Sequence, residues 1–179
     1  SHRSGAEQEL RGLDGIFIVL PREERPEDHV DRDYAFTLQQ FFLSDEGAPV
    51  MPFPPNGLPF NTFTMNGKTR DAASELPARV GERVRVRIYN ASQGVHAIHE
   101  HGFDITVVSQ NGHPVPVAAQ HEVTTIDEGP GNFHEFEFTP DKPGKWLLHC
   151  HFPHHTANSG MSGTDGAPVG MARVFNVTE

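Results

Sequence analysis

Ten residues constrain this chain more than any others. Residues 146–155 read Trp-Leu-Leu-His-Cys-His-Phe-Pro-His-His, and Cys150 is the sole cysteine among 179 residues. Read as a β-strand, the segment alternates its side chains between two faces. Cys150 then looks one way while His149 and His151 look the other, those two lying roughly 7 Å apart by strand rise. A thiolate, imidazoles and the thioether of Met161 just downstream are ligands soft enough to favour copper. Cys with two His and a weak axial Met is the donor set of a blue-copper electron-transfer centre. One strand can therefore serve two metal sites, with a single residue of backbone between them.

The rest of the composition suits an all-β chain. With 17 Gly and 15 Pro placed between short apolar runs, strands and turns are favoured over helices. A formal charge of −10 argues against nucleic acid and anionic membrane surfaces as partners. No apolar run approaches the roughly 20 residues of a membrane span. The opening Ser1-His2, without a signal peptide, reads as a mature or truncated form. A single cysteine excludes an internal disulfide.

In chain order, 16–20 (Ile-Phe-Ile-Val-Leu) is expected as a buried strand, which needs a partner later in the chain or outside it. Residues 21–33 form a charged linker. A strand is expected over 34–43, an irregular Pro/Gly/Asn-rich connection over 44–62 and a short strand over 63–65, closed by an Asn66-Gly67 hairpin turn. Val84, Val86 and Ile88 should point inward, with Arg83, Arg85 and Arg87 toward water. Further strands are expected over 99–108, 123–126, 134–138, 145–149 and 172–177, with turns at 111–112, 129–131 and 140–144. This spacing predicts a Greek-key β-sandwich, with residues 60–179 long enough for their own core. The triplets Asn90-Ala-Ser92 and Asn176-Val-Thr178 match the N-glycosylation pattern, which arises often by chance.

Seven of the twelve histidines fall within two windows, 96–101 and 149–155. In the first, His99 and His101 share a strand parity and His96 has the other, which repeats the logic of the Cys150 segment. A structural zinc site would call for a closed tetrahedral set, commonly with several cysteines. A protease-type Cys/His pair would leave the other clustered histidines unexplained. His29, His113, His121 and His134 are expected in ordinary surface roles.

The pattern His96-x-x-His99-x-His101-Gly102, followed by His149-Cys150-His151-x-x-x-His155 and Gly160-Met161, resembles the copper signature of the multicopper oxidases, the laccase-like family of cupredoxin domains. Met65-Asn66-Gly67, Val80-Gly81-Glu82-Arg83-Val84 and Pro143-Gly144-Lys145-Trp146 match its framework, and Gly12-Leu13-Asp14-Gly15 resembles the end of a first cupredoxin domain. The resemblance implies residues 1–20 as the end of a first domain, 21–59 as a linker with one strand and 60–179 as the copper-binding cupredoxin domain of a two-domain oxidase.

The resemblance also implies a type 1 copper held by His96, Cys150 and His155 with Met161 axial, a type 2 copper on His99, and type 3 coppers on His2, His101, His149 and His151. Three departures stand out. Met161 lies eleven residues after Cys150, where the family has ten, and Met171 is a second candidate. His154 adjoins His155, although the family spacing favours His155. The family's trinuclear cluster uses eight histidines and this chain supplies five, so residues outside the chain would complete it.

The implied chemistry is oxidation of a small reducing substrate (a phenol, an aromatic amine or a metal ion). Electrons would pass through Cys150 to His149 and His151, and O₂ would be reduced to water. A homo-oligomer, typically a trimer, or a partner chain would supply the first domain, in a periplasmic or secreted setting. Two alternatives remain. A non-catalytic type 1 electron carrier has no need of the same-face pairs His99/His101 and His149/His151. A copper nitrite-reductase-like enzyme would be expected to lack a histidine on both sides of the cysteine. Second ring nitrogens of ligating histidines need a carboxylate or carbonyl, and Glu100, Asp104 and Asp127 are near in sequence.

Overall fold

The computed structural model describes residues 3, 5–23, 25–43, 60–158 and 169–179. Twelve strands among them form two sheets. The first runs β2 (Thr62–Met65), β1 (Arg32–Phe41), β4 (Val84–Asn90), β10 (Phe133–Phe138), β6 (Ile105–Gln110) and β7 (His113–Pro114), and β8 (Glu122–Val123) also pairs β6. The second runs β3 (Leu76–Arg79), β12 (Ala172–Thr178), β11 (Gly144–Cys150), β5 (His96–Glu100) and β9 (Thr125–Glu128). β1/β4 and β12/β3 pair in parallel and the other named pairs are antiparallel. Non-consecutive neighbours in both sheets give the expected all-β, cupredoxin-like sandwich.

Alternation drives this packing. Val84, Val86 and Ile88 on β4, Phe136 and Phe138 on β10, Ile98 on β5, Leu148 on β11 and Phe175 on β12 fill the space between the sheets. Trp146 stands edge-on to Phe103, which stacks on Phe138. Asn66 and Gly67 both take positive φ (55° and 68°), as the expected hairpin turn requires.

Arg83, just before β4, and Arg85 and Arg87 within it revise an expectation. They are ion-paired across three strands and not simply solvated: Arg87 is bidentate to Asp33 (2.7 Å to each oxygen) and also reaches Glu135 at 2.6 Å. Arg83 and Arg85 share Glu137 at 2.6 Å. Arg87 is buried, and the carboxylates facing it across β1 and β10 replace the water it loses.

Three strand expectations also change, and one of them, 123–126, divides between β8 and β9 in different sheets. The stretch 99–108 is two strands in two different sheets, separated at residues 101–104. Gly102 sits at the break with φ +87°, and a Cβ there would lie under 3.0 Å from the Trp146 ring. We expect Gly102→Ala to destabilise the chain by about 2–4 kcal/mol, combining left-handed strain with overpacking, and urea unfolding measures it. Residues 16–20 form no strand. No strand pairs with them among the described residues, and Phe17 is 90% and Val19 78% exposed. A six-residue helix, α1 (Gly5–Leu10), precedes them and was not expected.

Candidate metal centre

β11 carries Cys150 on its inner face at its last residue, opposite Ile98 of β5. The same two strands bring His96, inward-facing on β5, beside it. Beyond Cys150 a single helical turn, α2 (Pro153–Thr156), opens on Pro153 and folds His155 back over the cysteine. Thr156 Oγ1 donates to the Cys150 carbonyl, and Gly170 N and Met171 N donate to the carbonyls of Thr156 (2.7 Å) and His155 (3.0 Å). Gly170 leaves no room for a side chain, because a Cβ there would collide with these two carbonyls.

The result is a closed triangle. Cys150 Sγ lies 3.8 Å from His96 Nδ1 and 3.4 Å from His155 Nδ1, and the two nitrogens are 3.1 Å apart. All three residues are buried. A circle through three atoms at these separations has a radius of about 2 Å, the length of a metal–imidazole bond and a little short of metal–thiolate. The donor set and the spacing therefore fit a single transition-metal ion. Burial pushes the Cys150 thiol up to about 11 and the imidazoles of His96 and His155 down to about 3 and about 4, with charge repulsion among the neighbouring histidines adding to both falls. At neutral pH both imidazoles are thus uncharged, whereas the thiol must lose its proton when metal enters.

His155, not His154, completes the triangle; His154 is exposed, its ring 4.2 Å from that of His155. Met161 and His2 lie outside the described residues. Met171 is fully buried, and its carbonyl accepts from Cys150 N at 3.0 Å.

A second cluster lies on the outer face of the same strands. His99 and His149 pair across β5 and β11, and His101 and His151 follow just beyond the two strand ends. Ring centroids of His99 lie 5.0, 5.6 and 5.2 Å from those of His101, His149 and His151. His101 Nε2 and His149 Nε2 approach to 3.0 Å. His149 Nδ1 contacts the Cys150 carbonyl at 2.8 Å, and His99 Nδ1 contacts the Thr124 carbonyl at 2.7 Å. A ring nitrogen facing a carbonyl carries the proton, so Nε2 of each ring keeps its lone pair, and that of His149 is turned to His101. Carbonyls, not Glu100, Asp104 or Asp127, hold these two rings. Burial lowers the His149 and His101 pKa values, and the neighbouring histidines lower both further.

Sequence reasoning missed two features. His134 is not a surface residue; it is buried with Nδ1 2.8 Å from Glu128 Oε1, and that carboxylate comes from β9 in the other sheet. Asn90, the first residue of one glycosylation triplet, is fully buried and joins a chain of hydrogen bonds behind His96. The Asn-x-Ser spacing was visible, but its direction into the core was not.

The family model for multicopper oxidases matches residues 46–164, about two thirds of the sequence. The chain belongs to the multicopper oxidase family. Copper is the metal this family implies, in agreement with the buried His-Cys-His triangle. Copper resistance protein A of Escherichia coli is 35% identical over 94 residues, covering 52% of this chain and 14% of that protein. A homologue from Pseudomonas syringae pv. tomato is 32% identical over 93 residues, 52% of this chain and 15% of its own. The chain thus spans only about a seventh of these relatives. The blue copper oxidase of Nitrosomonas europaea superposes with a TM-score of 0.73 at 26% identity, covering 89% of this chain and 48% of that one. A copper nitrite reductase from the same organism shares the fold alone, with a TM-score of 0.63 at 19% identity. No helix among the described residues is long and apolar enough to cross a membrane.

Proposed function

We propose that this chain is the copper-binding part of a two-domain, laccase-like oxidase in which a small reducing substrate is oxidised and O₂ is reduced to water. His96, Cys150 and His155 would hold a type 1 copper. A methionine would add a thioether, either Met161 or Met171, and the Met171 backbone is tied to both Cys150 and His155. His99 would hold a type 2 copper, and His101, His149 and His151 would hold type 3 coppers together with His2. Copper bound there would supply one-electron redox chemistry between the reducing substrate and O₂.

The protein's own part is placement. Cys150 faces inward to the triangle, and its backbone joins it directly to two imidazoles facing outward. The observation that carries the proposal is this reversal of direction within three residues, repeated by His96 and His99 on β5. It favours the oxidase over a simple carrier, which would leave the outer histidines without a role. Among the described residues the outer cluster has four rings, and two of them are exposed. A neighbouring copy or a partner chain would supply the remaining histidines. A phenol, an aromatic amine or a metal ion remains the expected reductant, and a periplasmic or secreted location follows from the family resemblance.

Copper titration of the full chain tests this reading, with metal content, optical and EPR spectra recorded in parallel. We expect a thiolate-to-copper absorption at the first equivalent and further copper bound at the histidine face. Saturation at one copper per chain, in the chain alone and together with a first-domain partner, would instead indicate an electron carrier.

A further inference from the structure

His96 has no access to solvent, so only protein can satisfy its second ring nitrogen. Its Nδ1 faces Cys150 and His155, and its Nε2 lies 2.7 Å from Ser92 Oγ. The proton positions along this chain follow from what stands at its far end. Asn90 points one arm of its amide at two backbone carbonyls, Gly94 O at 2.7 Å and Glu128 O at 2.8 Å. Only the NH₂ group can sit there, because an oxygen would face two acceptors. The amide oxygen therefore points at Ser92, where it accepts from the backbone N at 2.8 Å and from Oγ at 2.7 Å.

A hydroxyl has one proton to give. If Ser92 gave it to His96, Ser92 Oγ and Asn90 Oδ1 would confront each other 2.7 Å apart with lone pairs alone. The Ser92 proton goes instead to Asn90, with the Gly94 carbonyl at 3.3 Å as a second acceptor. Ser92 must then accept a proton from His96 Nε2–H. That leaves the Nδ1 lone pair directed at the sulfur of Cys150 and the ring of His155.

We infer that Asn90 and Ser92 are positioning residues for His96, fixing by a relay of hydrogen bonds the tautomer in which Nδ1 is free to take metal. The inference rests on the proposed copper role of the triangle for its consequence, but its geometry is independent of any metal. In the metal-free chain, two Nδ1 atoms 3.1 Å apart require one proton between them. The relay assigns that proton to His155. Alanine at position 92 would orphan the buried His96 N–H, or let the proton move to Nδ1, where it competes with the metal. Loss of a hydrogen bond of this kind behind a metal ligand costs about 10–100-fold in affinity.

The test reads imidazole nitrogens by long-range ¹H–¹⁵N correlation in the full metal-free chain. His96 is expected to be protonated at Nε2, with slow solvent exchange, and a proton on Nδ1 would overturn the inference. In the Cu(I)-loaded chain, Ser92→Ala should lose the protected resonance and weaken Cu(I) binding about 10–100-fold, with Ser92→Thr restoring both. Unchanged exchange and affinity in Ser92→Ala would also overturn it. Failure of the wild-type chain to develop thiolate-to-copper absorption with Cu(II) would count against the copper reading, while the metal-free tautomer still decides the relay.

Discussion

Cys150→Ser leaves the chain folded, abolishes its thiolate-to-copper absorption, and lowers oxidase turnover of the full-length protein by at least about a thousandfold, equivalent to about 4 kcal/mol in activation free energy. Serine matches the size of cysteine in a fully buried position, so the fold has little reason to change. Its hydroxyl is a hard, weakly acidic donor in a place where copper wants a thiolate. The two imidazoles 3.1 Å apart remain, so some copper binding should persist without colour. Copper content, optical spectra and O₂ consumption of purified wild type and variant check this. A variant that kept its colour or its turnover would remove Cys150 from the electron path.

Glu100→Leu is the largest expected gain in stability, and its size depends on pH. Glu100 lies on the inner face of β5, opposite Leu148, almost fully buried, with neither carboxyl oxygen hydrogen-bonded among the described residues. Burial drives its pKa well above the ordinary carboxylate range. Below the unfolded pKa both states hold the proton, and the group adds no pH dependence. Above it the unfolded chain ionises while the folded chain does not, so stability falls as pH rises, by about 1.4 kcal/mol per pH unit, until the folded pKa is reached. Leucine removes this loss together with a buried unpaired polar group. Urea unfolding of metal-free wild type and variant at pH 5, 6.5 and 8 should show a stability difference that widens with pH. Curves that stay parallel would show that Glu100 ionises freely in the folded chain.

Much of the site could be read from the sequence, because alternation is a local property. The opposed directions of Cys150 and His149, and of His96 and His99, follow from counting residues along one strand, and the structure keeps them. The less legible features depend on residues far apart in the chain. His101 lies past the end of β5, where Gly102 turns the chain, yet it still reaches His149, 48 positions away. The β4 arginines alternate as counted, but their carboxylates come from residues 33, 135 and 137. The same holds for His134, whose partner stands across a turn. Met161, reached by counting forward from Cys150, lies outside the described residues, and the backbone bonded to Cys150 and His155 is that of Met171.

The two histidine groups differ in one respect that affects assembly. The inner pocket is walled by residues of a single chain and reached through one helical turn, whereas the outer face ends in exposed rings. Under the proposed function, dilution should therefore separate the two properties: an isolated subunit turns blue when given copper, but consumes oxygen only after it meets the surface that supplies the missing ligands. Colour would then be first order in protein and turnover of higher order, so the order of maturation is set by which face of one strand each side chain occupies.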